Sequence, residues 1–212
     1  ICLHLIAKEQ AERAAAQSEP EILQSDLSGL LMELLQWGCS DPAQMSWLDQ
    51  PPTVNLQAAK RLLRMLGALD GERLSMHGQK MAALGNDPRL AAMLVSAKSD
   101  DEAATAAKIA AILEEPPRMG NSDLGVAFSR NQPAWQQRSQ QLLKRLNVRG
   151  GEADSSLIAP LLAGAYADRI ARRRGQDGRY QLANGMGAML DADDALSRHE
   201  WLIAPLLLQG SA

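Results

Sequence analysis

Cysteine, aromatic residues and long hydrophobic runs are all scarce in this sequence of 212 residues. Its two cysteines, Cys2 and Cys39, lie far apart, and neither has a histidine at metal-binding spacing. The sequence therefore predicts no disulfide framework, and a reducing, cytoplasmic setting fits best. The longest apolar stretch, residues 201–208, is much shorter than the roughly 20 residues that cross a bilayer, so no membrane span is expected.

Aromatic residues make up only 3% of the chain, whereas Ala and Leu are abundant. This mixture favours helices whose core is filled by Leu and Met and whose axes approach closely over Ala. Glycine and proline occur mainly between the apolar segments, where they end helices and strands. We therefore predict a mainly α fold with a short β segment at its C-terminal end.

Two amphipathic helices and a hairpin are predicted between residues 20 and 86. Asp26 can cap the first helix and Thr53 or Asn55 the second, and each helix is followed by a glycine that can end it. An Asp-Gly turn at residues 70–71 then joins two short apolar strands. Helix, helix and hairpin in this order are typical of a winged helix.

A helical segment is predicted over residues 87–150. It contains an Ala-rich helix at about residues 101–113 and a long helix over residues 133–146. The Ala-rich helix has two interpretations. Its small side chains can form a smooth surface along which a nucleic acid passes, or they can let the helix pack between two others.

The last part, residues 151–212, is predicted to begin with an apolar helix and to end in a small β region. The helix extends from Ser155 or Ser156 through Ile170 and ends in three arginines, which suit the negative end of the helix dipole. Three short strands follow, and three strands cannot close a barrel, so a partial β domain is expected.

The net charge of −3 gives no general affinity for nucleic acids, but positive charge is concentrated in one tract. Residues 118–149 contain six Lys or Arg and one Asp, whereas acidic residues outnumber basic ones on either side. The tract is a candidate phosphate-facing surface, although a solvated helix face would carry the same charges. The candidate phosphate-binding residues are Lys108, Arg118, Arg130, Arg138, Lys144 and Arg145, with Arg172, Arg173 and Arg174 as a second group.

Two tryptophans, Trp135 and Trp201, can in principle stack on bases, but a place in the core is the favoured interpretation of both. The histidines His4, His77 and His199 are too dispersed for a metal site or a catalytic triad, so structural roles are predicted for them.

Several stretches resemble the helicase-associated region of DEAH-box-like ATP-dependent RNA helicases, and most closely that of the bacterial HrpB type. The specific pair is the Gly-Ala-Leu-Asp of residues 67–70 together with residues 87–94, which match Asp-Pro-Arg-Leu-Ala-x-Met-Leu at every specified position. Weaker similarities follow in the family's order, and an arginine that the family has in the first of them is missing here. These weaker matches are residues 20–27, 74–81, 137–142, 162–171 and 200–202.

This resemblance implies a domain order. Residues 1–19 would be the end of a second RecA-like domain with its connector, and residues 20–86 a winged helix. Residues 87–150 would be a helical ratchet-like bundle, and residues 151–212 a helix followed by a partial OB-like β region. The implied partners are single-stranded RNA or DNA and the RecA-like domains of the same parent chain, whose ATP hydrolysis with Mg²⁺ would drive movement along the strand.

ATPase motifs are missing from the sequence itself. It has no Gly-Lys-Ser or Gly-Lys-Thr triplet to hold phosphates and Mg²⁺, and no Asp-Glu-Ala-His tetrapeptide. We therefore expect no catalytic residue, cofactor or ATP hydrolysis in this stretch alone. The resemblance implies that its role is that of a nucleic-acid-guiding accessory region.

Two alternatives remain at this stage, a winged-helix regulator and a protein-interaction scaffold. A regulator needs a basic recognition helix, and the second helix carries Lys60, Arg61 and Arg64. The adjacent hairpin, however, carries Asp70 and Glu72, which would repel phosphate.

Overall fold

The computed structural model describes residues 20–85, 87–117, 122–175 and 177–208 and shows a mainly helical fold with small antiparallel sheets. The segment 1–19, predicted to end a RecA-like domain, lies outside the described residues. The α-helices of the described ranges are α1 (Ser28–Gln36), α2 (Thr53–Met65), α3 (Met76–Leu84), α4 (Pro88–Val95), α5 (Asp100–Glu114), α6 (Leu124–Phe128), α7 (Pro133–Leu146) and α8 (Ile158–Ala165). The strands are β1 (Leu69–Asp70), β2 (Arg73–Leu74), β3 (Ile170–Arg173), β4 (Arg179–Leu182), β5 (Gly187–Met189) and β6 (Trp201–Ile203).

Helices α1 and α2 and the β1–β2 hairpin occur in the predicted order. The Asp26 carboxylate accepts a hydrogen bond from the Ser28 amide at 2.8 Å, but Asp26 lies one residue before the N-cap of α1, which is Leu27. Neither Thr53 nor Asn55 caps α2, which follows Pro52 without a side-chain cap. Instead, the Asn55 amide donates to the Leu23 carbonyl at 3.2 Å and ties α2 to the preceding turn.

One large hydrophobic core joins helices α1 to α8. The Ala-rich helix α5 lies inside it, in contact with α4, α6, α7 and α8. Its alanines Ala106, Ala107 and Ala110 are fully buried, because small side chains allow the backbones of neighbouring helices to approach closely. Among the described helices, none is both long and apolar enough to cross a membrane.

The C-terminal sheet has four antiparallel strands in the order β5-β4-β3-β6, where the sequence predicted three. The predicted helix through Ile170 was wrong, because α8 ends at Ala165 and Ile170 begins β3. The extended conformation gives these residues backbone partners on both sides, in β4 and in β6, and this tertiary pairing outweighs the local helical pattern. Arg172 and Arg173 therefore lie in a strand and not at a helix C-terminus.

A small second hydrophobic core lies against one face of the C-terminal sheet. Ala171, Tyr180 and Leu182 are buried on one face. The Tyr180 hydroxyl reaches three carbonyl groups of the 3-10 turn before β6, of which that of His199 is nearest at 2.8 Å. This contact fastens the acidic loop between β5 and β6 to the inner face of the sheet.

A buried ion pair connects the helical part to the sheet. Arg89 in α4 donates through Nη1 and Nη2 to the two carboxylate oxygens of Asp168, at 2.6 and 2.8 Å. Its Nη1 also donates to the carbonyl of Ala165 at 3.0 Å, and its guanidinium lies 5.2 Å from the ring centre of Tyr166. Because Arg89 is only 6% exposed, the pair fixes the segment between α8 and β3 against α4.

We expect Asp168→Asn to destabilise the chain by about 3 kcal/mol, because it leaves the buried Arg89 charge without its counter-ion. Chemical denaturation measures this change in the free energy of unfolding. Asp193→Asn, at an exposed position, is the matched control and should change that free energy by less than about 0.5 kcal/mol. Equal effects of the two substitutions would contradict the assigned role of the pair.

Acid should weaken the same pair. Burial alone would raise the pKa of Asp168, but the hydrogen bond and the charge of Arg89 outweigh burial and hold that pKa below its ordinary value. A carboxyl with a lowered folded-state pKa stabilises the fold above its unfolded pKa of about 3.9, and this contribution is lost as the pH falls further. The difference in unfolding free energy between the unsubstituted chain and Asp168→Asn should therefore be constant near neutral pH and shrink below about pH 4.

Candidate nucleic-acid interface

Three of the six candidates of the first group have partners within the protein. The Arg138 guanidinium makes two hydrogen bonds with the Glu114 carboxylate, at 2.6 and 2.9 Å, and these raise the pKa of Arg138 above its usual value. Arg145 donates to the carbonyl of Leu84 at 2.8 Å. The Lys108 ammonium lies 4.4 Å from the centre of the Phe128 ring. The contacts of Arg138 and Arg145 connect α7 to α5 and to α3. The contact of Lys108 with Phe128 connects α5 to α6.

Arg130 and Lys144 are exposed, as is Arg145, and neither of these two forms an ion pair with a described residue. Arg118 lies outside the described residues. The structure therefore does not gather the six candidates of this group into one site, and their binding of phosphate stays a prediction.

A carboxylate of the β1–β2 hairpin forms ion pairs with two cations of the adjacent helix α2. Glu72 pairs with Lys60 at 2.5 Å and with Arg64 at 2.9 Å, and these contacts, with that to Lys60 the stronger, hold the pKa of Glu72 below its usual value. Two of the three cations of α2 are thus directed at a carboxylate, which disfavours α2 as a DNA-reading helix.

The Ala-rich helix α5 does not present its alanines at the surface. Ala103, Ala104, Ala106, Ala107, Ala110 and Ala111 are all buried. Of the two interpretations of this helix, packing between neighbouring helices is therefore the one that the structure shows.

The sheet face directed away from the small core carries a cation and an aromatic ring in contact. Arg172 is the register partner of both Gln181 in β4 and Trp201 in β6, and paired residues of an antiparallel sheet share a face. The Arg172 guanidinium lies 5.4 Å from the centre of the Trp201 ring. Trp201 remains 57% exposed, so one surface of the indole is open to solvent. The prediction that Trp201 lies in the core was wrong, whereas Trp135 is buried as expected, at 3% exposure.

Two more arginines lie on this same face. Arg174 and Arg179 are adjacent across β3 and β4, joined by an amide-to-carbonyl bond of 2.7 Å, and both are exposed. Beside Arg179 in β5 is Met189, which is 78% exposed. Arg172, Arg174, Arg179, Met189 and Trp201 are together called the exposed sheet face below. At its other end Ile203 packs against the large core, so helices cover that end.

The three consecutive arginines do not act as one group. Arg173 alternates to the opposite side of the strand, where its Nη1 donates to the carbonyl of Arg198 at 2.9 Å. Arg172 has only a weak acidic neighbour, Glu200, at 3.4 Å, and both side chains are mostly exposed. Arg174 donates to the side-chain oxygen of Gln181.

Sequence reasoning missed Arg179 and misplaced Trp201. The sequence signal for this face is the alternation of side chains in a strand, which repeats every two residues. Arg172 and Arg174 flank Arg173, and Arg179 and Gln181 flank the buried Tyr180 in the same way. Over residues 170–174 this alternation indicates a half-buried strand, and the prediction of a helix end there was wrong, whereas β4 is one of the three strands that were predicted. No group of three or more His, Cys, Asp or Glu side chains suited to a metal ion occurs in the part of the chain that the structure describes.

Comparison with known proteins shows that the whole chain is similar to part of a helicase. The chain is 95% identical over all 212 residues to the ATP-dependent RNA helicase HrpB of Escherichia coli, of which it covers 26%. This similarity extends over the whole length of the chain. A crystal structure of the E. coli DExH-box NTPase HrpB matches 99% of this chain at 96% identity with a TM-score of 0.89, and this chain covers 26% of it. The resemblance inferred from the sequence motifs is thereby confirmed.

More distant similarity covers less of the chain. The ATP-dependent RNA helicase HrpA homolog of Haemophilus influenzae is 31% identical over 105 residues, which are 46% of this chain and 8% of that protein. No protein-family model matches the chain. This chain thus corresponds to about a quarter of the HrpB proteins that it matches.

The burial of the α5 alanines gives a direct test of the packed-helix interpretation. Ala107→Leu should destabilise the chain by about 1–3 kcal/mol, because a larger side chain cannot enter the tight contact among α5 and its neighbours. Ala58→Leu on the exposed side of α2 is the control, with an expected change within about 0.5 kcal/mol in the free energy of unfolding. A neutral Ala107→Leu would mean that this side of α5 is open.

Proposed function

We propose that this chain is a nucleic-acid-guiding accessory region of an ATP-dependent RNA helicase, and that its exposed sheet face contacts the single strand. The observation that carries the proposal is the solvent-exposed Trp201 ring with the Arg172 guanidinium against it. Arg174 and Arg179 extend the positive charge along the same face.

A flat aromatic ring next to cations suits unpaired nucleotides. Every base has a π-face that can stack on an indole, and the charge of the backbone phosphates favours nearby guanidinium groups. Such recognition needs bases that are free of their partners, so it selects single strands over duplexes. It also depends little on sequence, as expected of a surface along which a strand moves.

In this proposal, the helicase is driven by a RecA-like core that lies outside the present chain and hydrolyses ATP with Mg²⁺. The name of the HrpB relative states that it is an ATP-dependent RNA helicase, and the near-identity of the matched region supports the same setting here. In this setting residues 20–86 act as a winged helix against that core. Residues 87–150 act as the ratchet-like bundle, and residues 151–212 supply the OB-like sheet.

Exposed Arg130 and Lys144 are the members of the first basic group that remain open to phosphate. We propose them as additional backbone contacts, whereas Lys108, Arg138 and Arg145 mainly hold helices together. Of the alternatives, the winged-helix regulator is disfavoured by the ion pairs of Glu72 with Lys60 and Arg64.

Trp201→Ala in the full-length protein should weaken binding of single-stranded RNA by roughly 5- to 150-fold, the cost of about 1–3 kcal/mol for losing one stacked base. Trp201→Phe retains a ring and should recover most of the affinity. Fluorescence anisotropy with a labelled oligouridine measures both. Trp37→Ala, which removes an even more exposed tryptophan elsewhere, is the control and should leave the affinity unchanged.

Arg172→Ala should in addition reduce the slope of log affinity against log salt by about 0.7, because one phosphate contact to a single strand is lost. Arg172→Lys keeps the charge but not the planar guanidinium, so the salt slope should be retained while the affinity falls. Unchanged affinity and salt slope in both Trp201→Ala and Arg172→Ala would exclude the exposed sheet face as the RNA contact.

A further inference from the structure

A groove of about 490 Å³ opens between α3, the α4–α5 connection and the C-terminal end of α7. It is separate from the exposed sheet face, and no residue of that face lines it. Its volume is within the range of ligand-binding clefts, roughly 300–1,000 Å³. A site of this size can accept a short segment of chain and is too large for a single ion.

The rim of the groove is positive. Lys80 comes from α3, Lys98 from the connection between α4 and α5, and Arg145 from α7, so the cations surround the opening from three elements. Among the described residues, Asp100 is the one carboxylate that lines it. The Arg145 guanidinium is held in place by its hydrogen bond to the carbonyl of Leu84, which itself lines the groove.

The floor is aliphatic. Five aliphatic residues that line the groove form this floor: Leu84 and Leu94 are buried, and Val95, Leu146 and Val148 are half-buried. In the part of the chain that the structure describes, no aromatic ring lines the groove, so a base would find no stacking partner there. A hydrophobic side chain, in contrast, would gain free energy from leaving water on such a floor.

We propose that this groove docks an acidic peptide segment that places a hydrophobic side chain on the aliphatic floor and carboxylates against Lys80, Lys98 and Arg145. Charge complementarity selects the carboxylates, and the floor selects the apolar anchor between them. The groove is then a protein-docking surface, distinct from the nucleic-acid contact proposed for the sheet.

The test uses the full-length protein and a fluorescently labelled peptide in which a pair of leucines lies between two blocks of glutamate. We expect saturable binding that weakens at least about tenfold in Lys80→Glu and in Lys98→Glu. Arg61→Glu, the same charge reversal at an exposed position of α2, should leave peptide affinity unchanged. A peptide with serines in place of the leucines should bind much more weakly, because it lacks the anchor.

Three results would overturn the proposal: no binding of the leucine peptide, equal binding of the serine peptide, or equal weakening by Arg61→Glu. Displacement of the peptide by oligouridine, with loss of RNA affinity in Lys80→Glu and Lys98→Glu, would instead make the groove a phosphate surface. Trp201→Ala should leave peptide affinity intact, so a failure of this proposal is distinguishable from a failure of the RNA contact at the sheet.

Discussion

The contact between Arg89 and Asp168 determines how the two parts of the chain are joined. The guanidinium is almost completely buried, so its charge must be balanced where it lies, and both of its terminal nitrogens are directed at one carboxylate. That requirement fixes the short segment between α8 and β3, because the carbonyl of Ala165 and the ring of Tyr166 complete the same environment. The geometry of everything that follows Asp168 depends on this position.

The orientation of the C-terminal sheet depends on that contact. Strand β3 begins two residues after Asp168 and is central, paired with β4 on one side and β6 on the other. Its alternation then directs Ala171 and Arg173 to the inner face and Arg172 outward, next to Trp201. A rigid backbone thus supports the cation and the ring, whereas the cations of the helical part, such as Arg138, are used in holding helices together.

The sequence allowed good prediction where local chemistry decides. The Asp-Gly hairpin and the inward face of α7 with Trp135 follow from turn preference and helical period. It failed where distant partners decide. Ile170 to Arg173 became a strand only through pairing with β4 and with β6, which lies about 30 residues further on. The Arg89–Asp168 pair spans 79 residues, and no local pattern indicates it, although both residues belong to the motifs that resemble the helicase family.

The central claim is that single-stranded RNA passes over the exposed sheet face. Photo-crosslinking of 4-thiouridine-containing RNA to the full-length protein, with the crosslinked peptides mapped by mass spectrometry, tests it directly. We expect crosslinks in the strands that carry Trp201 and Met189, and we expect these crosslinks to be lost when unlabelled RNA competes for binding. Crosslinks confined to α2 or to the helices of residues 100–146, with none in the sheet, would contradict it.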